Sequence, residues 1–356
     1  MLSLDLTESG CSSVRWGIVG TGTIATRFAE DIKYVAGARL GGVSSRSLER
    51  ATRFCAQYGG IAYEEYKSLI NDENIDAVYI ASPNMSHFQI AWDAIAANKS
   101  VLVEKPLVTT SEEAKRLCAF ATERKVFLME GVWTRFLPAI VFVKDALCAG
   151  AIGELRRVRG ELAFRHAYTP DNRFFDPAKG GGSLLDLGLY LVSLSLFLLG
   201  HPDTVHGKWR GAPTGVDMAA DIELSFGGIP AFLRCGFDRT GGNLFRIEGS
   251  RGSLFLLSPF IGARCVLESG PIVAKFIDML CMNSVTARVF SKLARKIPIP
   301  GIKRYDFDFQ GYGLQFEIEA ATKAIKSGHM EVSFAPLSES IETIHILEKI
   351  RCLPQR

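Results

Sequence analysis

Nothing in this chain is spaced to hold a metal. Its eight cysteines include no C-x-x-C pair, and none falls within zinc-ligand spacing of a histidine pair. Scattered in mostly apolar surroundings, they read as buried thiols of a reducing compartment, so a cytoplasmic protein without metal is expected. Strong charge is missing as well. A formal net charge of +3 spread over 356 residues leaves no electrostatic footprint for nucleic acid. The basic stretch Arg288 to Arg304 is interleaved with apolar residues and reads as a solvated face. A membrane-length hydrophobic run is absent too. Ser183 to Leu199 is rich in leucine, but it falls short of the roughly 20 residues a span needs and contains Asp186 and Tyr190. It reads as a helix buried against a sheet, and no membrane partner is expected. The first 13 residues carry Asp5 and Glu8 without a long apolar core, which suits a loose tail and not a signal peptide.

What is present is a globular composition, 47% hydrophobic and 22% charged, long enough for two domains. An apolar run from Val14 feeds into Gly20-Thr21-Gly22-Thr23-Ile24-Ala25 and then a helix-like stretch to Tyr34. A strand, a tight turn and a helix N-terminus place free backbone N–H groups against a pyrophosphate. Gly20 would allow the turn, Gly22 the approach of the phosphates, and Ala25 close helix–strand packing.

Strand-like and helix-like segments then alternate to about residue 136. Strands are expected at 39–44, 77–81, 100–103 and 126–129, and helices at 48–58, 88–97 and 111–124. Strands this apolar belong in a parallel sheet covered on both faces. A crossover helix at 142–148 precedes a change of texture. Alternating segments between 156 and 257, separated by Gly-rich turns, predict an antiparallel sheet, with helices 184–199 and 311–327 on one face. Residues 270–303 show no clear period and read as a partly helical excursion. The fold class is therefore α/β: residues 14–136 form a doubly wound, Rossmann-type dinucleotide domain, and residues 137–356 an α+β domain with a large, mainly antiparallel sheet.

Three further motifs fall at strand ends, where open α/β sheets bind ligands. They are Ser82-Pro83-Asn84-Met85-Ser86-His87, Glu104-Lys105-Pro106, and Gly180-Gly181-Gly182-Ser183 running through Asp186 to Tyr190. In this order they resemble the Gfo/Idh/MocA oxidoreductases over nearly the whole chain. The phrases Met129 to Phe136 and Phe174-Phe175-Asp176-Pro177 are similar to the branch of dimeric dihydrodiol dehydrogenases and NADP-dependent xylose dehydrogenases. The resemblance implies a catalytic Lys105, a cis peptide before Pro106, and hydride transfer at a sugar, polyol or vicinal-diol carbon. It favours Tyr190 as general acid/base, with Asp186 fixing substrate and lysine. Histidine stands at the Tyr190 position in inositol-dehydrogenase-type members, so cyclitol oxidation is disfavoured here.

Around the cofactor, the resemblance and the turn chemistry together assign Gly20, Gly22, Thr23, Ile24, Ser82, Pro83, Asn84, His87, Glu104 and Lys105. Trp133 and Arg135 are candidates for the nicotinamide pocket, the alternative being core packing and a surface ion pair. No acid stands in Val43-Ser44-Ser45-Arg46-Ser47, where NAD-specific sheets place one to hold the ribose 2′-hydroxyl. Ser45, Arg46 and Arg50 suit a 2′-phosphate, so NADP is favoured over NAD. The alternative is a non-catalytic NAD(P)-binding regulator or sensor of the same fold. Apolar residues on both parities of 231–237 suggest an open sheet face. Together with the family's habit of pairing through that sheet, they predict a homodimer or dimer of dimers.

Overall fold

The computed structural model describes residues 13–281 and 283–355, so the expected N-terminal tail lies, apart from Ser13, outside the described residues. Six parallel strands form the first sheet: β1 (Val14–Val19), β2 (Ala38–Ser44), β3 (Ile61–Tyr63), β4 (Ala77–Ile80), β5 (Ser100–Glu104) and β6 (Leu128–Gly131). Their spatial order is β3-β2-β1-β4-β5-β6, so the chain reverses direction between β1 and β4 and leaves a crevice beyond their C-terminal ends. The crossovers are α1 (Thr23–Asp31), α2 (Leu48–Tyr58), α3 (Tyr66–Asn71), α4 (His87–Ala96) and α5 (Ser111–Arg124). All four residues of β4 are buried, as a strand covered on both faces requires. Phe28 of α1 stacks on Tyr79 of β4 with ring centroids 3.9 Å apart, pinning α1 across the middle of the sheet.

Local chemistry sets the helix boundaries. Ser47 accepts the Arg50 amide at the start of α2, and Thr110 accepts the Glu113 amide at the start of α5. At the end of α5, Lys125 is left-handed at φ 55° and the Val126 amide still donates to Ala121. This closure displaces β6 from the expected 126–129 to Leu128–Gly131. The short β3 and α3 had no periodic signal long enough to detect.

After α6 (Pro138–Cys148) come eight strands: β7 (Leu155–Ala163), β8 (Thr204–Gly211), β9 (Asp217–Phe226), β10 (Ile229–Gly236), β11 (Phe245–Gly249), β12 (Ser253–Leu256), β13 (Cys265–Ser269) and β14 (Ile302–Asp306). They form one sheet in the order β14-β13-β12-β11-β7-β10-β9-β8, antiparallel except for β10 beside β7. Its inner face packs on α7 (Leu189–Leu199), a helix buried over ten of its residues. Gly160 lets β7 approach closely, since a Cβ there would meet Leu191 at 2.8 Å.

Two expectations are corrected here. The helix expected at 311–327 is α10 (Gln315–Lys326), and it packs on the first domain, not on the antiparallel sheet. Asp31 of α1 accepts the Gly313 and Leu314 amides at 2.9 and 2.8 Å, and Trp16 of β1 donates to Thr322 at 3.2 Å. The final helix α11 (Leu337–Arg351), not anticipated, lies between α5 and α7 and joins the two halves. The outer sheet face is also less apolar than expected. Ala231, Leu233 and Cys235 all turn inward, while the outer side carries the ion pairs Arg157–Glu248, Arg234–Asp221 and Arg239–Glu161. Over β12 and β13 that face is covered by α8 (Pro271–Cys281) and α9 (Ser284–Ala294) of the excursion. An apolar face therefore no longer argues for pairing through this sheet.

Candidate active site

The turn after β1 has the shape expected of an anion cradle. Gly20 holds φ +116°, and a Cβ there would lie 2.5 Å from the Ala81 carbonyl oxygen. Only glycine fits both constraints. On its other side Gly22 faces open space, and α1 begins without any side-chain cap. Thr23 and Ile24, exposed and half-buried in its first turn, bring backbone amides that point out of the helix end. A pyrophosphate fits this geometry.

At the end of β2, Ser45 lies 3.5 Å from the Thr21 hydroxyl, which ties the two turns together. Arg46 and Arg50 are exposed and form no ion pair among the described residues. The nearest acid, Glu49, is engaged by Arg53 at 2.6 Å. This strand end therefore presents hydroxyls and guanidinium groups with no competing carboxylate.

Beyond β4 and β5 the chain is braced from beneath by His87. Its ring is fully buried, with Nδ1 2.8 Å from the Pro106 carbonyl and Nε2 2.9 Å from the Ser82 carbonyl. Burial lowers the pKa of His87, outweighing the two carbonyls that favour its charged form. His87 thus ties two site loops together and does not stand at the crevice surface, where a ribose or nicotinamide contact would put it. Asn84 reaches across to the Gly180 carbonyl at 3.3 Å, next to exposed Pro83. The Lys105–Pro106 peptide is cis, as the resemblance implied.

Lys105, Asp186 and Tyr190 converge. The Lys105 ammonium donates to Asp186 Oδ1 at 2.9 Å and to the Asp186 carbonyl at 2.8 Å, and lies 4.7 Å from the centre of the Tyr190 ring. Asp186 sits in a π-helical turn, Leu184–Gly188, that leads into α7. Such a widened turn is a recurrent feature of functional sites. The turn is anchored from β9 by buried Asp217, which accepts the Ser183 hydroxyl at 3.0 Å and the Leu184 amide at 2.5 Å. A Cβ on Gly182 would collide with the same carboxylate at 2.5 Å.

The electrostatics of this cluster are set by burial and by one ion pair. Burial works against the Lys105 charge, but the Asp186 carboxylate more than offsets it, and the lysine pKa stands above its ordinary value. Burial would raise Asp186; Lys105 reverses the direction and holds it below the usual carboxylate range. Tyr190 is pushed up to about 12 by burial, against the pull of the Lys105 charge. At neutral pH the set is a protonated amine, a carboxylate and a protonated phenol.

Trp133 and Arg135, two positions apart in sequence, part company. Trp133 donates its Nε1–H to the Tyr190 hydroxyl at 3.2 Å, so it belongs to the site. Arg135 is buried away from it, bonded to Ser193 at 2.7 Å and paired with Glu339 of α11 at 2.6 Å. Its place is the structural ion pair, not the nicotinamide pocket. Glu104 is corrected likewise. Its buried carboxylate accepts the Tyr79 hydroxyl under the sheet, and burial pushes its pKa up to about 7.

Several residues escaped the sequence reading. Glu130 of β6 accepts the Leu107 amide at 2.8 Å and so shapes the loop carrying Lys105. Glu317 of α10 is fully buried near Glu104, and both its oxygens lack a hydrogen-bond partner. His166 and Arg173, in the loop after β7, both favour the ionised form of Asp186 by their proximity. His166 stacks on Phe174 at 3.9 Å. Glu130 lies inside the phrase Met129 to Phe136 without a role read for it. No motif marks the other three, because each acts through a contact distant in sequence or through a loop without a pattern.

Comparison with known proteins agrees with this geometry. Residues 14–132 match the model of an oxidoreductase family with an NAD-binding Rossmann fold, and residues 140–255 the GFO/IDH/MocA C-terminal domain. The chain is 29% identical over 346 residues to a trans-1,2-dihydrobenzene-1,2-diol dehydrogenase of Bos taurus, covering 95% of this chain and 96% of the other. It is 28% identical over 374 residues to a D-xylose 1-dehydrogenase (NADP(+)) of Hypocrea jecorina, covering 95% and 91%. Among solved structures, a 3-ketoreductase of Actinomadura kijaniata crystallised with NADP shares the fold, with a TM-score of 0.79 at 24% identity over 96% and 97% of the two chains. A nucleotide cradle, a strand-end lysine and a second-domain acid and tyrosine thus occur in one chain that matches both domain models: this protein belongs to the Gfo/Idh/MocA family of NAD(P)-dependent oxidoreductases.

Proposed function

We propose that this protein is an NADP-dependent oxidoreductase of CH–OH groups, moving a hydride between the nicotinamide and a carbon of a sugar or vicinal diol. The observation that carries the reading is the contact of Lys105 with both Asp186 Oδ1, at 2.9 Å, and the Tyr190 ring face, at 4.7 Å. The relatives named for diol and xylose oxidation support the substrate class.

Gly20, Gly22, Thr23 and Ile24 would hold the pyrophosphate, and Ser45, Arg46 and Arg50 the 2′-phosphate. When bound, the reduced cofactor supplies a hydride to the carbonyl carbon. Tyr190 gives its phenolic proton to the carbonyl oxygen as the C=O π bond breaks, leaving a phenolate and an alcohol. The Lys105 ammonium stabilises negative charge as it develops on both oxygens. Asp186, bonded to that ammonium, holds it in place and keeps it charged. Reprotonation of Tyr190 from solvent restores the site. In oxidation each step runs backwards, and Tyr190 must first lose its proton.

Lys105→Met and Tyr190→Phe, singly and together, test the assignment by steady-state kinetics and NADP titration. Each single variant loses roughly 100-fold or more in kcat, and the double variant far less than the product of the two. NADP affinity changes little. Full activity of Tyr190→Phe would overturn the tyrosine assignment. An intact lysine and tyrosine together argue against a purely regulatory role.

A further inference from the structure

We propose that the α8–α9 hairpin is a docking surface for an anionic lipid bilayer. Each helix has two faces. Ala274 and Ile277 of α8, with Phe290 and Ala294 of α9, are buried against Phe255 and Leu267 of the sheet. The opposite face should then be polar, as on any surface helix. It is not. Ile272, Phe276 and Met279 on α8, and Val285, Val289 and Leu293 on α9, are each at least half exposed, and Ile272 is 86% exposed. Their spacing of three and four residues aligns them as one stripe along each helix, and the two helices lie side by side. Scattered exposed aliphatics are ordinary, but two adjacent stripes on paired helices mark an interaction surface.

Charge identifies the occupant. Between residues 271 and 297 stand five basic residues against a single acid, Asp278. That acid is neutralised within the fold by Arg159, at 3.7 Å, and by Arg246. Arg288 and Arg295 are fastened to the carbonyls of Gly241 and Ser258 at 3.1 and 2.7 Å. Lys275, Lys292 and Lys296 are exposed and have no carboxylate partner among the described residues. They stand three residues beyond Ile272, Val289 and Leu293, so the free ammonium groups border the apolar stripes. A partner that offers negative groups with hydrocarbon directly behind them is the surface of an anionic bilayer. A second copy of the hairpin would face these lysines with its own, which opposes self-association. The basic stretch from Arg288 thus acts as more than a solvated face, and the expectation of no membrane partner is replaced by peripheral attachment.

Flotation of the full-length protein with vesicles tests the proposal, using phosphatidylcholine alone and phosphatidylcholine with about a third phosphatidylserine. Binding is expected only to the anionic vesicles and is weakened by salt. Lys292→Glu with Lys296→Glu lowers affinity by at least about tenfold, and Phe276→Glu with Leu293→Glu abolishes binding. Because all four side chains are exposed, circular dichroism and the thermal midpoint stay unchanged. Absence of binding to anionic vesicles overturns the proposal, as does equal binding by these variants. A lipid-free mass of twice 39.0 kDa that Phe276→Glu halves would assign the surface to a second copy instead.

Discussion

Trp133 Nε1 donates a hydrogen bond to the Tyr190 hydroxyl oxygen at 3.2 Å, which leaves the phenolic proton unclaimed by the indole. This bond favours the phenolate, because a donor to oxygen is worth more when that oxygen carries charge. Trp133→Phe is therefore expected to raise the Tyr190 pKa further and to lower oxidative kcat several-fold while barely changing NADP affinity. The pH profile of oxidation should shift to the alkaline side. A profile that stays in place with reduced kcat would show that the indole only packs.

Tyr190, pushed up to about 12, and Lys105, held above its ordinary value, both keep their protons at neutral pH. Carbonyl reduction needs a protonated acid and should run undiminished through neutrality, falling only as the medium becomes strongly alkaline. Oxidation needs Tyr190 deprotonated, so its kcat should climb steadily with pH. Initial rates in both directions check this. A maximum of oxidative kcat below pH 7 would require another base.

Cofactor choice rests on the strand end that lacks an acid. Arg46→Ala should remove a charge-assisted contact worth about 1.5–3 kcal/mol with the 2′-phosphate, raising KM for NADP by roughly 10- to 100-fold. KM for NAD should change little, as that cofactor has no phosphate there. Equal losses with both cofactors, or a preference of the unmodified protein for NAD, would contradict the assignment.

Glu317 is fully buried without a partner for either oxygen, and burial together with Glu104 holds its pKa well above the ordinary value. A raised folded-state pKa contributes stability that is complete below the unfolded pKa and lost as pH rises through the folded one. Glu317→Gln removes that loss while keeping the shape. Its thermal midpoint should match the parent at low pH and exceed it increasingly as pH rises. A midpoint below the parent at alkaline pH would show that the carboxylate is ionised and bound.

The first domain was legible because its signals are local. Residues 48–58 and 111–124 have the boundaries read from the residue pattern, and Gly20, Gly22 and Lys105 stand at the crevice. Lys105, Asp186 and Tyr190 were recognisable by motif, and the structure brings them within contact. Arg135 and Glu104 were misplaced because a motif marks position along the chain and not the direction of a side chain. Two positions along the chain separate crevice from core, as Trp133 and Arg135 show.

The sequence by itself determined the alternation of strand and helix, the glycine turn and the absence of an acid after Val43, since these depend on near neighbours and on backbone sterics. Only the tertiary structure decided what covers what. α10 joins the first domain because Asp31, more than 280 residues earlier, caps its start. Asp217 secures the turn that carries Asp186 from a strand that follows it. The stripes of α8 and α9 split into a buried and an exposed set only because the sheet beneath accepts one face of each. Such pairings join residues far apart in the chain. Their energy comes from burial and desolvation, which depend on the assembled surroundings and not on neighbours in sequence.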